Sequence, residues 1–151
     1  MTLQIAPDLL ALIRAHGEEH YPEEGAGLLL GRVSGDARQA VRALPQSNRA
    51  PAESRPRRYE IEALAMLAAE ELAEREGLDV VGVFHSHPDH PAEPSGFDRE
   101  QALPWYTYVI TSVMGGQAGE TRCWRLTEDR NALEEERLWV GSLDPVVKEE
   151  T

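Results

Sequence analysis

The chain has 151 residues, 41% of them apolar, and its 27 acidic against 15 basic groups leave a net charge of −12. That length fits one domain with its own core, the charge repels a phosphate backbone and so excludes nucleic acid as an expected partner, and no run approaches the roughly 20 apolar residues of a bilayer-spanning helix. Cys123 is the only cysteine, which excludes intramolecular disulfides and cysteine-rich zinc sites and leaves His and carboxylate as the available metal ligands.

Pro7-Asp8, followed by Leu9, Leu10, Ile13 and His16 at helical spacing with Gly17 behind them, predicts an amphipathic helix over 7–16. The stretch before Glu24 lacks the basic opening and small-residue cleavage site of a secretory signal, so a cytoplasmic setting is expected. His16 and His20 lie beside acidic residues and read as a solvated helix end. Gly25 to Gly31 is an apolar run bounded by glycines and predicts a buried strand, with Val33 to Leu44 as its hairpin partner and a turn near Ser34-Gly35-Asp36. Pro45 to Tyr59 is rich in Pro, Arg, Ser and Asn without apolar periodicity and predicts a long surface loop. Its arginines Arg49, Arg55, Arg57 and Arg58 either solvate that loop or steer an acidic partner.

Ile61, Leu64, Ala68 and Leu72 share a helical face opposite Glu62, Glu70, Glu74 and Arg75, and Gly77 supplies a stop. Val80 to Phe84 fits an interior strand leading directly into His85. Tyr106 to Val113, Thr121 to Leu126 and Glu136 to Val140 predict further strands, the first two separated by Gly115 to Gly119. Cys123, between Arg122 and Trp124, reads as a packed core thiol. Residues 1–144 are expected to form the domain and 145–151 an acidic tail.

The segment from His85 to Asp98 carries the chemistry. Side chains two apart on a strand share a face, so His85 and His87 can converge on one ion. Pro88, Pro91 and Pro94 stiffen the following loop, and Asp98 near a helix start is placed to turn inward as a third ligand. Two imidazoles and one carboxylate leave a tetrahedral zinc with an open position, as in catalytic rather than structural sites. A carboxylate outside the ligand set must then move the proton of the attacking water, and Glu23 or Glu24, at the mouth of the glycine-flanked strand, is positioned for that task. Ser95-x-x-Asp98 also fits a helix capping box, a structural use expected to compete with metal binding at Asp98. His90, between prolines, is left outside the ligand set.

These residues give the chain a resemblance to the JAMM, or MPN-plus, metallopeptidase family (JAB), in its compact prokaryotic branch. The family signature is an upstream Glu, then His-x-His, seven residues, Ser, two residues and Asp, matched here by Glu24, His85-Ser86-His87, Ser95 and Asp98. The family sets its Glu two residues after a proline-like turn position, which selects Glu24. The resemblance implies a single-domain α/β fold of the MPN/JAB type, a curved mixed β-sheet flanked by helices with the metal at its edge. It implies one zinc ion on His85, His87 and Asp98, Glu24 as general acid/base, and Ser95 as the donor to the developing oxyanion. It also implies cleavage after the C-terminal Gly-Gly of a ubiquitin-like sulfur-carrier protein, releasing an attached cysteine or peptide. A deubiquitinase-like isopeptidase and a non-catalytic MPN scaffold are the rival expectations.

Overall fold

The computed structural model of the protein describes residues 1–143; the expected tail at 145–151 lies outside them. Seven strands and three helices follow one another as β1 (Thr2–Ile5), α1 (Pro7–His20), β2 (Ala26–Ser34), β3 (Ala37–Gln46), α2 (Ala63–Glu76), β4 (Asp79–Pro88), α3 (Gly96–Gln101), β5 (Thr107–Met114), β6 (Gln117–Leu126) and β7 (Leu133–Val140). The strands run in the spatial order β1-β3-β2-β4-β5-β6-β7 and close into a barrel through parallel pairing of β1 with β7. The β1–β3 and β4–β5 pairs are also parallel and the rest antiparallel, so the expected curved mixed sheet is present. Closure corrects one expectation, because β4 lies between β2 and β5 and the His-x-His segment is not at a sheet edge.

The apolar run in β2 is continuous because both of its faces are covered. Leu29 packs with Ile13 of α1, Leu3, Ile5, Val81 and Phe84, while its neighbours Leu28 and Leu30 pack with Ala69 and Ala73 of α2, Val80 and Val83. Strand β1 escaped the sequence reading; the only signal is the two-residue alternation of Leu3 and Ile5, both fully buried.

Helix α1 continues past Gly17 to His20. Gly17 is a point of close approach rather than a stop, since a Cβ there would lie 3.0 Å from the Cβ of Ser86 and 3.2 Å from Val113. The helix ends where Tyr21 turns extended before Pro22. His16 is buried rather than solvated, stacked on His20 at 4.2 Å and edge-on to Phe84 at 5.6 Å.

The inward face of α2 also differs from the expected one. Ala69 and Ala73 are buried with Met66 and Leu72 packed beside them, whereas Leu64 is 70% exposed and Ala68 also faces solvent. The alanines let the helix axis approach the sheet closely, and the helix begins only at Ala63, so Ile61 belongs to the preceding segment. Gly77 ends it in the left-handed region, φ 69°, as read from sequence. Between β5 and β6 the turn is tighter than expected: Gly115 and Gly116 take φ of 59° and 90°, and β6 starts at Gln117. Cys123 is fully buried in the core.

Strand β4 tolerates no side chain at Gly82, where a Cβ would press into the carbonyl of Thr107 on β5. Gly82→Ala is expected to destabilise the protein by about 1–3 kcal/mol, read as a lower denaturation midpoint with an unchanged slope.

Candidate metal centre and active site

His85, Ser86 and His87 occupy the last turn of alternation in β4, and all three are buried. The two histidines point to one side. Ser86 points to the other and accepts a hydrogen bond from the N–H of Gly25 at 2.8 Å, while its own N–H donates to the Gly25 carbonyl at 3.0 Å. Those bonds tie β4 to the residue that follows Glu24.

Asp98 is the third residue of α3 and its carboxylate reaches the histidines. His85 Nε2 and His87 Nε2 lie 3.2 Å apart, Asp98 Oδ2 lies 3.0 Å from His87 Nε2, and Asp98 Oδ1 lies 3.4 Å from His85 Nε2. For zinc bonds of about 2.0–2.1 Å in tetrahedral geometry, neighbouring donor atoms stand roughly 3.3 Å apart. The two imidazole nitrogens therefore already stand at about that spacing, and each has one Asp98 oxygen at a comparable distance. The chemistry agrees. His87 Nδ1 lies 2.8 Å from the Pro91 carbonyl and donates to it, which leaves a lone pair on Nε2 facing the Asp98 carboxylate. Two acceptors in contact repel unless a proton or a cation sits between them.

Asp98 also completes the cap of α3. Its Oδ2 accepts from the Ser95 N–H at 2.9 Å while Ser95 Oγ accepts from the Asp98 N–H at 3.0 Å. Both halves of the cap are formed, and a carboxylate has lone pairs left to serve a metal as well. Burial raises the Asp98 pKa, but the histidines and the Ser95 N–H outweigh it and hold the carboxyl well below its usual range. Burial lowers the pKa of His85 and favours its neutral, ligating form.

Glu24 is 4% exposed, and its Oε1 has no hydrogen-bond partner. Burial, and then repulsion from Asp98, push its pKa up to about 9. An orphaned buried carboxylate beside a second carboxylate is the signature of a place made for positive charge. Glu23 is less buried than Glu24.

The sequence reading missed how the long loop after β3 builds this site. Asn48 uses its whole amide: Nδ2 donates to the carbonyls of Glu24 and Arg58, each at 2.9 Å, and Oδ1 accepts from the N–H of Ala50 and of Glu60. The Glu24 N–H donates to the Arg55 carbonyl at 2.8 Å, so the Glu24 backbone is held from both sides. Tyr59, expected in a solvated loop, stacks on the His85 ring at 4.6 Å. The one available signal was an isolated aromatic within a polar, proline-rich stretch. The loop after β4 is pinned in turn, with Ser112 Oγ donating to the His90 carbonyl at 2.6 Å, Trp124 to the Ala92 carbonyl at 3.1 Å, and Tyr21 to Asp89 at 2.7 Å. His90 itself is exposed and stands apart from the triad.

Two concavities meet at the site. An apolar groove of 480 Å³ lies along Tyr59, Ile61, Met66, Phe97, Asp98 and Tyr108. A smaller cavity of 260 Å³ is lined by Glu24, Arg57, His87, Glu93 and Ser95.

The barrel, its helices and a buried His-x-His with an inward Asp define a protein of the JAB/MPN class. The chain belongs to the family of prokaryotic homologs of the JAB domain, whose model matches residues 6–127. It is 37% identical over 118 residues to a probable TtuB-protein conjugate cleaving protease of Thermus thermophilus, covering 78% of this chain and 75% of that one. It is 39% identical over 119 residues to a desampylase of Haloferax volcanii, covering 75% and 82%. A Desulfitobacterium hafniense protein of known solution structure superposes with a TM-score of 0.80 at 27% identity, over 94% of this chain and 95% of that one. Among the described residues no helix is long and apolar enough to cross a membrane.

Glu24 holds its proton more tightly in the folded chain than at its ordinary value of 4.5, so its contribution to stability is full below 4.5 and is lost as pH rises toward about 9. The melting temperature of metal-free protein should fall across that window, and metal-free Glu24→Gln should show a flatter profile. Parallel profiles for the two proteins would contradict this account of Glu24.

Proposed function

We propose that this protein is a zinc-dependent (iso)peptidase that hydrolyses the bond after the C-terminal Gly-Gly of a ubiquitin-like sulfur-carrier protein. The observation that carries the reading is the buried triangle of His85 Nε2, His87 Nε2 and Asp98 carboxylate oxygens at 3.0–3.4 Å, with the unpartnered Glu24 carboxylate beside it. The names of the Thermus and Haloferax relatives support the substrate class. The single buried cysteine accords with a cytoplasmic setting.

In this reading His85, His87 and Asp98 hold one zinc ion. Zinc, when bound there, supplies a Lewis acid that acidifies water and polarises a carbonyl. Neutral His87 is oriented for ligation by the Pro91 carbonyl, an outer partner of the kind that fixes the tautomer of a ligating imidazole. Glu24 takes the proton of the attacking water and delivers it to the departing nitrogen; its raised pKa favours holding that proton between the two transfers. A cation on the neighbouring ligands would favour the ionised form of Glu24, the form that acts as base. Ser95 Oγ accepts from the Asp98 N–H through one lone pair, and its own O–H is free to donate to the carbonyl oxygen as negative charge develops. The apolar groove beside Asp98 takes the extended carrier tail, whose terminal glycines fit a narrow approach to the triad.

Purified protein incubated with carrier conjugates, with and without a chelator, tests the reading by the masses released. Glu24→Gln is expected to retain zinc by elemental analysis while losing about 10²–10⁴-fold in kcat. His87→Ala should lose both zinc and cleavage. Ser95→Ala should lower kcat about 10²–10³-fold with little change in zinc content. Full activity in Glu24→Gln would remove Glu24 from its role.

A further inference from the structure

Arg57 lines the 260 Å³ cavity together with Glu24, His87 and Ser95. Its guanidinium donates through Nη1 to the Glu53 carbonyl at 3.2 Å, and no carboxylate pairs with it among the described residues. Glu93, the other acidic side chain of the cavity besides Glu24, is tied instead to Arg122 at 3.2 Å. In a chain of net charge −12, an arginine beside the site without an anionic partner offers charge and two-pronged hydrogen bonding for which the protein supplies no match.

The two concavities are lined by different members of the site. Hydrolysis breaks the C–N bond, with the oxygen of water joining the acyl carbon and a proton joining the departing nitrogen. That proton comes from Glu24 under the proposed function, on which this inference rests. Glu24 lines the small cavity and not the apolar groove, whereas Asp98 lines the groove and not the cavity. The departing amine therefore sits in the small cavity, within the surroundings of Arg57. A space of 260 Å³ holds about one residue, so Arg57, in its wall, lies within about one residue of the departing nitrogen.

We infer that Arg57 is a specificity residue that binds a carboxylate on the leaving group, next to the nitrogen being released. That carboxylate is either the α-carboxylate of an amino acid joined through its own α-amine or an acidic side chain beside a conjugated lysine. Lysine isopeptides in neutral surroundings are then the poorer substrates.

The test compares two matched substrate pairs on the zinc-loaded full chain. In the first, a carrier ending in Gly-Gly is joined to an amino acid bearing either a free α-carboxylate or its carboxamide. In the second, it is joined through lysine to a peptide with either Glu or Gln beside that lysine. The wild-type protein should favour the carboxylate member of at least one pair by about 10- to 100-fold in kcat/KM, the range of a charge-assisted hydrogen bond. Arg57→Gln should collapse that ratio toward one, and Arg57→Glu should invert it. Arg49→Gln, whose parent side chain pairs with Glu62 instead, should keep the wild-type ratio. A preference confined to the first pair assigns the α-carboxylate; one confined to the second assigns the acidic neighbour. Equal rates within both pairs, or a ratio that survives Arg57→Gln, would overturn the inference while leaving the peptidase reading standing. Failure of the wild-type chain to cleave any of the four would overturn both.

Discussion

The register of β2 against β4 governs the site, because it sets Ala26 opposite His85 and so carries Glu24, two residues earlier, to the end of the histidine strand. Ser86 locks that register on the face away from the triad, through its bonds to both backbone groups of Gly25. A one-residue slip would turn the histidines toward α1 and Ser86 toward Asp98. The neighbours leave no room for such a slip. A Cβ at Gly27 would enter the Phe84 ring, and one at Gly17 would meet Ser86. Close packing around glycines thus transmits the geometry of the barrel to the placement of one carboxylate.

Around that pair of strands the irregular segments act as rigid parts. The loop between β3 and α2 contains a single 3-10 turn, Ala52–Ser54, yet Asn48 joins both of its ends to the Glu24 backbone. The proline-spaced loop after β4 directs the Pro91 carbonyl at His87 and is fixed to β5 and β6 by Ser112 and Trp124. Such anchoring limits how far the backbone beneath Glu24 and His87 can shift. Far along the barrel, toward the start of β5, the interior closes with a second polar system: Glu136 accepts from Thr107 at 2.8 Å and from Arg125 at 2.6 Å, and Arg38 lies under Trp105. At that end the buried Glu136 carboxylate is paired with Arg125. The other leaves Glu24 and the triad short of positive charge.

That imbalance links the fold to its chemistry. Burial raises the cost of each uncompensated charge, so Glu24 binds its proton tightly, and under the proposed function a cation on His85, His87 and Asp98 would relieve that cost. The family assignment and the geometry meet here, since Glu24 and the candidate ligands are buried together beside two concavities of different character.

The sequence by itself determined most elements and the candidate metal residues, because both depend on short-range pattern. The alternation of His85 and His87, the Ser95-x-x-Asp98 cap and the apolar runs of β2 and β4 are readable within a dozen residues. Tertiary structure alone decided barrel closure, since β1 is four residues long and gains its identity only by pairing with β3 and β7. It also decided which face of α2 is buried, because Ala69 and Ala73 meet the sheet while Leu64 is left in solvent. The burial of His16 against Phe84 and the contacts of Asn48 with Glu24 and of Tyr59 with His85 were decided in the same way. Their partners lie far along the chain or across the barrel, and no local periodicity encodes a contact of that range.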